Sequence, residues 1–183
     1  MKKALLAVSI VVSLYACDTG KKYYIDNPTN APLKVVLDGA NIDVAPKEYK
    51  RVQIKPGAHQ VSVAGGPQRS FTIGENEFGK GGMINPLGAK YVVWAESYTA
   101  KGAPSTAPNF TIEWNGQKIQ GPFTIDSSIY MINNWWYDVV TPFPKSVEVP
   151  SNSASARVTK IFRPDDFTRE YNEMIKEGGQ QQH

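Results

Sequence analysis

The chain has 183 residues with a formal charge of +3, and 41% of the residues are hydrophobic. This length suits one domain with its own core or two small ones. Because the sequence contains one cysteine, no intramolecular disulfide can form, and the fold must be stabilised by packing. Lysine and arginine are scattered along the chain, so we expect no surface for binding nucleic acid.

The first residues have the layout of a secretory signal. Lys2 and Lys3 are positively charged, residues 4–14 are apolar, and the small residue Ala16 precedes Cys17. The apolar run is shorter than the roughly 20 residues that a membrane-spanning helix needs. We therefore interpret residues 1–16 as a signal peptide that is removed.

The sequence Leu14-Tyr15-Ala16-Cys17 resembles the lipobox of bacterial lipoproteins. The resemblance implies that Cys17 carries a diacylglyceryl group, becomes the N-terminal residue after cleavage and is usually N-acylated (commonly with palmitate), with residues 17–22 forming the lipidated linker. It also implies a membrane-anchored protein that faces the periplasm. Asp18 resembles the signal for the inner membrane, with the outer membrane as the alternative. The simpler interpretation of Cys17 is an unmodified apolar residue beside an ordinary cleavage site.

Residues 23–74 read as short strands separated by turns. Asp38-Gly39 and Pro56-Gly57 are typical turn pairs, and apolar residues recur with a period of two on both sides of the second pair. The predicted strands are Lys22–Ile25, Leu33–Leu37, Asn41–Val44, Tyr49–Ile54, His59–Ala64 and Arg69–Ile73.

Three short segments of this region resemble the PEGA-type β-sandwich module of bacterial envelope proteins. They are Leu37-Asp38-Gly39, Val44-Ala45-Pro46 and the stretch VQIKPGAHQV at residues 52–61. The resemblance implies a β-sandwich module over residues 23–74 and brings no catalytic residues with it.

Residues 74–88 contain five glycines and one proline. We interpret residues 75–88 as a joint or a long loop, followed by a second β-rich part over residues 89–178. One fused domain and two separate domains both remain open. In the second part, Asn115-Gly116 predicts a two-residue hairpin. The predicted strands are Tyr91–Tyr98, Phe110–Trp114, Gln117–Ile119, Phe123–Ile125, Ile129–Val140, Ser146–Val149 and Arg157–Phe162.

The C-terminal region has the periodicity of an amphipathic helix. Asp165 and Asp166 favour its start, Gly178 suits its C-terminal cap, and residues 179–183 are expected to be a disordered tail. Its apolar stripe, which we expect to be buried, consists of Phe167, Tyr171, Met174 and Ile175. The predicted fold class is therefore mainly β, with β-sandwich-like sheets and one C-terminal amphipathic α-helix.

The sequence lacks the residue patterns of common catalytic and metal sites. Its two histidines are His59, interpreted as a surface strand residue, and the terminal His183. No HExxH, CxxC or GxSxG motif occurs. We therefore expect no enzymatic activity, no cofactor and no metal.

The candidate partner-binding residues are Tyr130, Trp135, Trp136 and Tyr137. Adjacent tryptophans in a strand point to opposite faces, so we expect one ring near the surface. An exposed ring suits stacking on a sugar or a protein–protein contact, whereas the alternative is that all four rings fill a core.

Three functions from different classes are compatible with these observations. The favoured hypothesis is a non-catalytic envelope module that binds a protein or glycan partner. The alternative is an immunity-type lipoprotein that neutralises a secreted toxin at the envelope. An envelope enzyme is disfavoured by the scarcity of histidine.

The lipobox interpretation predicts the mass and the location of the mature protein. Intact mass should show loss of residues 1–16 and added acyl mass on Cys17. Cys17→Ser should release the protein from the membrane or stall its processing, because the acyl chains provide the stable anchoring. A Ser variant that is processed normally and stays membrane-bound would contradict the prediction.

Overall fold

The computed structural model describes residues 23–77, 80–99, 108–142, 144, 147–149 and 155–180. About these residues it confirms the mainly β fold class with a C-terminal helix. The strands are β1 Tyr23–Asp26, β2 Leu33–Leu37, β3 Ala40–Val44, β4 Tyr49–Val52, β5 Gly57–Val63, β6 Arg69–Ile73, β7 Gly82–Ile84, β8 Tyr91–Thr99, β9 Phe110–Trp114, β10 Gln117–Gly121, β11 Phe123–Asp126, β12 Tyr130–Ile132 and β13 Ser155–Phe162, followed by α1 Pro164–Gln180.

The strands form four sheets. Sheet A has the order β12-β7-β1-β4, sheet B the order β3-β2-β5-β6, and sheet C the order β11-β8-β13. The hairpin β9–β10 forms sheet D, with Asn115 and Gly116 in the predicted two-residue turn. The β1–β7 pair is parallel, and the other described strand pairs are antiparallel.

Three hydrophobic cores lie between these sheets. The first core joins one face of sheet A to sheet B, with Ile25 of β1 packed among residues of β2 and β5. The middle core joins the other face of sheet A to sheet C, through Tyr24 and Tyr91. The third core joins the far face of sheet C to sheet D and α1, through Trp94 and Phe167. Sheets A and C are therefore internal layers, covered on both faces.

Burial on both faces explains the sequences of the internal strands. The segments YYID of β1 and YVVW at the start of β8 are buried at every residue. A strand with both faces covered reads as a continuous apolar run, whereas a strand with one wet face alternates. LKVVL of β2 shows the alternation, since Lys34 is exposed between buried Leu33 and Val35.

Two predicted segments differ in the structure. The predicted strand Ile129–Val140 is wrong, because β12 ends at Ile132. There the side chain of Asn133 accepts a hydrogen bond from the backbone N–H of Trp135 at 3.2 Å, which forms a turn. The glycine-rich segment contributes β7, whose partner β1 lies 59 positions earlier in the chain, so sheet A contains strands from both sides of that segment.

Smaller predictions also need correction. His59 is buried rather than at the surface. Its ring contacts Asp38 Oδ2 at 2.8 Å through Nδ1 and the Lys55 carbonyl at 2.7 Å through Nε2. Residues 147–149 have no regular structure, and the rest of the predicted strand Ser146–Val149 lies outside the described residues. The helix continues through Gly178 to Gln180.

Only the first half of α1 is integrated into the third core. Phe167 is fully buried, and its ring meets the rings of Trp114 and Phe123 edge-on at centroid distances of 5.1 and 5.2 Å. Met174 and Ile175, one turn beyond Tyr171, are 37% and 54% exposed. The expectation that the whole apolar stripe is buried is therefore wrong for its last two residues.

A buried ion pair connects the internal layers to the helix. Asp26 at the end of β1 and Arg163 between β13 and α1 are both buried. Arg163 donates from Nε to Asp26 Oδ2 at 3.0 Å and from Nη2 to Oδ1 at 2.5 Å. The hydroxyl of Tyr91, at the start of β8, donates to Asp26 Oδ2 at 2.6 Å. The carboxylate is thus held by three donors from two other elements.

Burial and charge act together on this group. Burial raises the pKa of Tyr91, and the adjacent Asp26 carboxylate raises it further. Burial acts to lower the pKa of Arg163, but the hydrogen bonds and the charge of Asp26 more than compensate, so its pKa is raised. The arginine is therefore charged and the tyrosine is a neutral donor at physiological pH.

Asp26→Asn should lower the free energy of unfolding by about 3–5 kcal/mol, because it leaves the charge of Arg163 buried without a partner. Denaturant titration followed by circular dichroism measures this change. The matched control is Asp165→Asn, which removes an exposed carboxylate that lies 2.6 Å from Lys47 Nζ. An exposed pair contributes about 1 kcal/mol or less, so equal losses in the two variants would contradict the prediction.

Candidate functional site

Residues 133–142, which follow β12, carry three of the four candidate partner-binding residues, and we call them the tryptophan loop. This loop crosses from sheet A to the edge of β13. The backbone N–H groups of Trp136 and Tyr137 donate to the Thr159 carbonyl at 2.9 and 3.0 Å. In return Ile161 donates its N–H to the Tyr137 carbonyl at 3.1 Å. The loop is therefore fixed to sheet C by backbone hydrogen bonds.

The two adjacent tryptophans face opposite sides of this loop. The ring of Trp135 is buried in the middle core, with 8% of the residue exposed. Trp136 is 76% exposed. One ring therefore lies at the surface as expected, although the segment is a hydrogen-bonded loop rather than a strand.

The four residues predicted as a partner-binding group do not form one surface. Tyr130 packs against the first core and stacks on Phe71 with a centroid distance of 5.7 Å, on the opposite face of sheet A from Trp135. Tyr137 is half-buried and forms the backbone bridge to Lys160. Of the four, Trp136 alone is broadly exposed. Their role in binding stays a prediction, and Cys17 lies outside the described residues.

A buried lysine fixes the second half of the tryptophan loop. Lys160 donates from Nζ to the carbonyl oxygens of Asp138 and Thr141 at 2.7 and 2.6 Å. Its ammonium group also lies 4.7 Å from the centre of the Phe162 ring, within the range of a cation–π contact. Asp138 closes the turn, because its Oδ1 accepts from the N–H and the hydroxyl of Thr141.

A cleft of about 530 Å³ opens between this part of the loop and the first turns of α1, and we call it the lysine cleft. Lys160 and Phe162 of β13 lie between its two walls. The full set of lining residues is Val139, Val140, Thr141, Pro142, Lys160, Phe162, Asp166, Arg169 and Glu170. The lining combines apolar side chains with two cationic and two anionic ones, so it can contact both apolar groups and charges of either sign.

The charges of the lysine cleft are tuned by burial and hydrogen bonding. Burial lowers the pKa of Lys160 from its ordinary 10.5 to about 8, against the opposing effect of Asp138, Asp166 and Glu170. Burial acts to raise the pKa of Asp138, but the hydrogen bonds from Thr141 outweigh it and lower the pKa. On the helix wall, Arg169 Nη2 lies 2.9 Å from Asp166 Oδ1.

The described part of the chain contains no group of three or more histidine, cysteine, aspartate or glutamate residues that could hold a metal ion. Within the same residues, no helix has both the length and the apolar character needed to cross a membrane.

Comparisons with known protein families, with curated proteins and with solved structures found no match to this chain. The described residues form a mainly β fold with a C-terminal helix. A functional conclusion has to be argued from the geometry of the described residues and from the N-terminal sequence.

Sequence reasoning missed the lysine cleft. The available signal was the position of Lys160 in the apolar run VTKIF, where it shares a strand face with Val158 and Phe162. A lysine on a buried strand face requires acceptors for its ammonium group. The sequence alone does not show that these acceptors are carbonyl groups of the tryptophan loop, or that α1 forms the facing wall of the cleft.

The lowered pKa of Lys160 predicts a pH dependence of stability. Between pH 8 and 10.5 the unfolded chain binds more protons at this site than the folded chain, so its contribution to stability rises with pH. Unfolding titrations of the wild type and Lys160→Met, compared from about pH 7.5 to 9.5, should show an upward slope in the wild type relative to the variant. Parallel pH profiles would contradict the prediction.

Proposed function

We propose that this protein is a membrane-anchored envelope lipoprotein that binds a protein partner without catalysis, and that the lysine cleft receives a segment of that partner. The observation that carries the proposal is the cleft itself, between the tryptophan loop and α1. The lipobox-like sequence ending at Cys17 supports the anchor, and the PEGA-like strand pattern of residues 23–74 supports an envelope module.

The lining of the cleft favours a peptide segment as the ligand. Val140 and Pro142 offer apolar contacts, while Arg169 and Glu170 offer charges of opposite sign next to them. An extended peptide can present both apolar and charged side chains, and its backbone groups can form hydrogen bonds with the charged side chains of the cleft. A glycan fits less well, because sugars stack on exposed rings and the aromatic residue of the lining, Phe162, is buried.

A binding role also agrees with the state of Lys160. A lysine whose pKa approaches neutrality is a candidate nucleophile or base. Here, however, its amino group donates to two loop carbonyls and lies against the Phe162 ring. These contacts indicate that Lys160 positions the tryptophan loop. This structural role explains its burial without a catalytic role.

The proposal predicts that blocking the cleft abolishes partner capture. Val140 is 50% exposed and lines the cleft, so Val140→Arg should fill it without disturbing the core. Full-length protein in detergent-solubilised envelope, crosslinked and purified, should recover a partner that the variant loses. The matched control is Ile175→Arg, the same change at a similarly exposed apolar residue of α1 that does not line the cleft.

Each outcome of this experiment decides the proposal. A partner lost with Val140→Arg and kept with Ile175→Arg would support it, and a secreted toxin as that partner would favour the immunity-type function. Loss of the partner with both variants, or with neither, would place the binding site elsewhere. Capture of a glycan by the wild type alone would overturn the assignment of a peptide ligand.

A further inference from the structure

An arginine on an edge strand of sheet B lies on the core-facing side of that sheet. Arg69 is the first residue of β6, which lies at one edge of the order β3-β2-β5-β6. It pairs with Val61, a buried residue of the first core, and directly opposite residues of an antiparallel pair share one face. The same face of β6 carries Phe71 and Ile73, which pack in that core. Arg69 is therefore a half-buried charge at the margin of the first core.

The guanidinium group of Arg69 lies beside Gly88 and has no protein partner among the described residues. A Cβ atom at Gly88 would lie 2.6 Å from Arg69 Nη1, so the glycine leaves room for the group. Within the part of the chain that the structure describes, no oxygen accepts a hydrogen bond or forms an ion pair with this guanidinium group. Its planar set of donors matches a carboxylate, which can accept two parallel hydrogen bonds.

Arg69 lines a cleft of about 320 Å³, which we call the arginine cleft. One wall is the turn of residues 63–67 between β5 and β6, and the other includes Pro86 and Leu87 from the connection between β7 and β8. Every lining residue except Arg69 is uncharged. The volume is at the lower end of the range for ligand sites, and an apolar lining with one polar anchor is typical of such sites.

Both walls of the arginine cleft are fixed by hydrogen bonds. In the first wall the N–H of Gly66 donates to the Val63 carbonyl at 2.8 Å. In the second wall the side chain of the buried Asn85 accepts from the N–H of Ala89 at 2.9 Å and donates to the Ala89 carbonyl at 2.8 Å. These bonds close the turn of residues 85–89. The cleft is therefore preformed, which lowers the entropic cost of binding a ligand there.

We propose that the arginine cleft binds the C-terminal end of a peptide chain whose last side chain is apolar. The terminal carboxylate pairs with the guanidinium group of Arg69, and the terminal side chain packs against Pro86 and Leu87. A chain end matches this lining because one residue presents both a carboxylate and an apolar side chain. The arginine cleft shares no lining residue with the lysine cleft, so this second site goes beyond the proposed function and does not depend on it.

The test is an NMR titration of the full-length protein in detergent with an acetylated Gly-Gly-Gly-Leu peptide, either as the free acid or amidated at its C-terminus. The free acid should shift the side-chain Nε–H signal of Arg69 and the backbone amide signals of Gly66 and Gly88. Arg69→Met should weaken its binding by about ten- to a hundredfold, because the charge-assisted hydrogen bonds are lost. Arg69→Lys keeps the charge without the paired donors and should fall between the two. The matched control Lys34→Met removes an exposed cation of sheet B outside the cleft and should bind like the wild type.

Three results would overturn this inference without bearing on the lysine cleft. Equal binding of the free acid and the amidated peptide would show that no carboxylate is recognised. Binding of acetate as tight as that of the free acid would show an anion site that does not recognise an apolar residue. Absence of shifts at millimolar peptide, in a wild type whose spectrum shows that it is folded, would exclude the site. Self-association of Arg69→Met in that last case would assign the arginine to protection of the free edge of β6.

Discussion

The buried pair of Asp26 and Arg163 is the interaction on which the arrangement of the layers depends. The two residues are 137 positions apart, and Tyr91 joins them from a third element. Arg163 lies between β13, which carries Lys160, and α1, which carries Asp166. Because these two elements supply the floor and one wall of the lysine cleft, the ion pair that orients them also sets the shape of the candidate site.

Much of the strand pattern follows from local sequence. The bounds of β2, β6 and β9 agree with the predicted Leu33–Leu37, Arg69–Ile73 and Phe110–Trp114. These segments have β-branched or aromatic residues between strong turn signals, and both features act over a few residues. The opposite orientation of Trp135 and Trp136 could also be predicted from local sequence, because neighbouring side chains point in opposite directions in an extended backbone.

Other features depend on contacts between distant residues, which one sequence does not reveal. The run from Ile129 to Val140 has the composition of a strand, yet Asn133 and Asp138 form turns. The carbonyl groups of Asp138 and Thr141 then accept hydrogen bonds from Lys160. Met174 and Ile175 fit a helical stripe, but the third core includes Phe167 and Tyr171 and leaves these two residues exposed. The lysine cleft combines a loop, a strand and a helix, so its existence follows from the packing of layers.

The place of β1 in sheet A has a consequence for how the chain acquires its structure. β1 is the first described strand in sequence, but its neighbours are β4 and β7. The side-chain carboxylate of Asp26, at the end of β1, pairs with Arg163. Pairings between distant segments form slowly, because the intervening loop must close first. During synthesis β1 therefore has no complete set of partners until Arg163, near the end of the chain, has been made. Sheet A and its ion pair can therefore be completed only after most of the chain has been made.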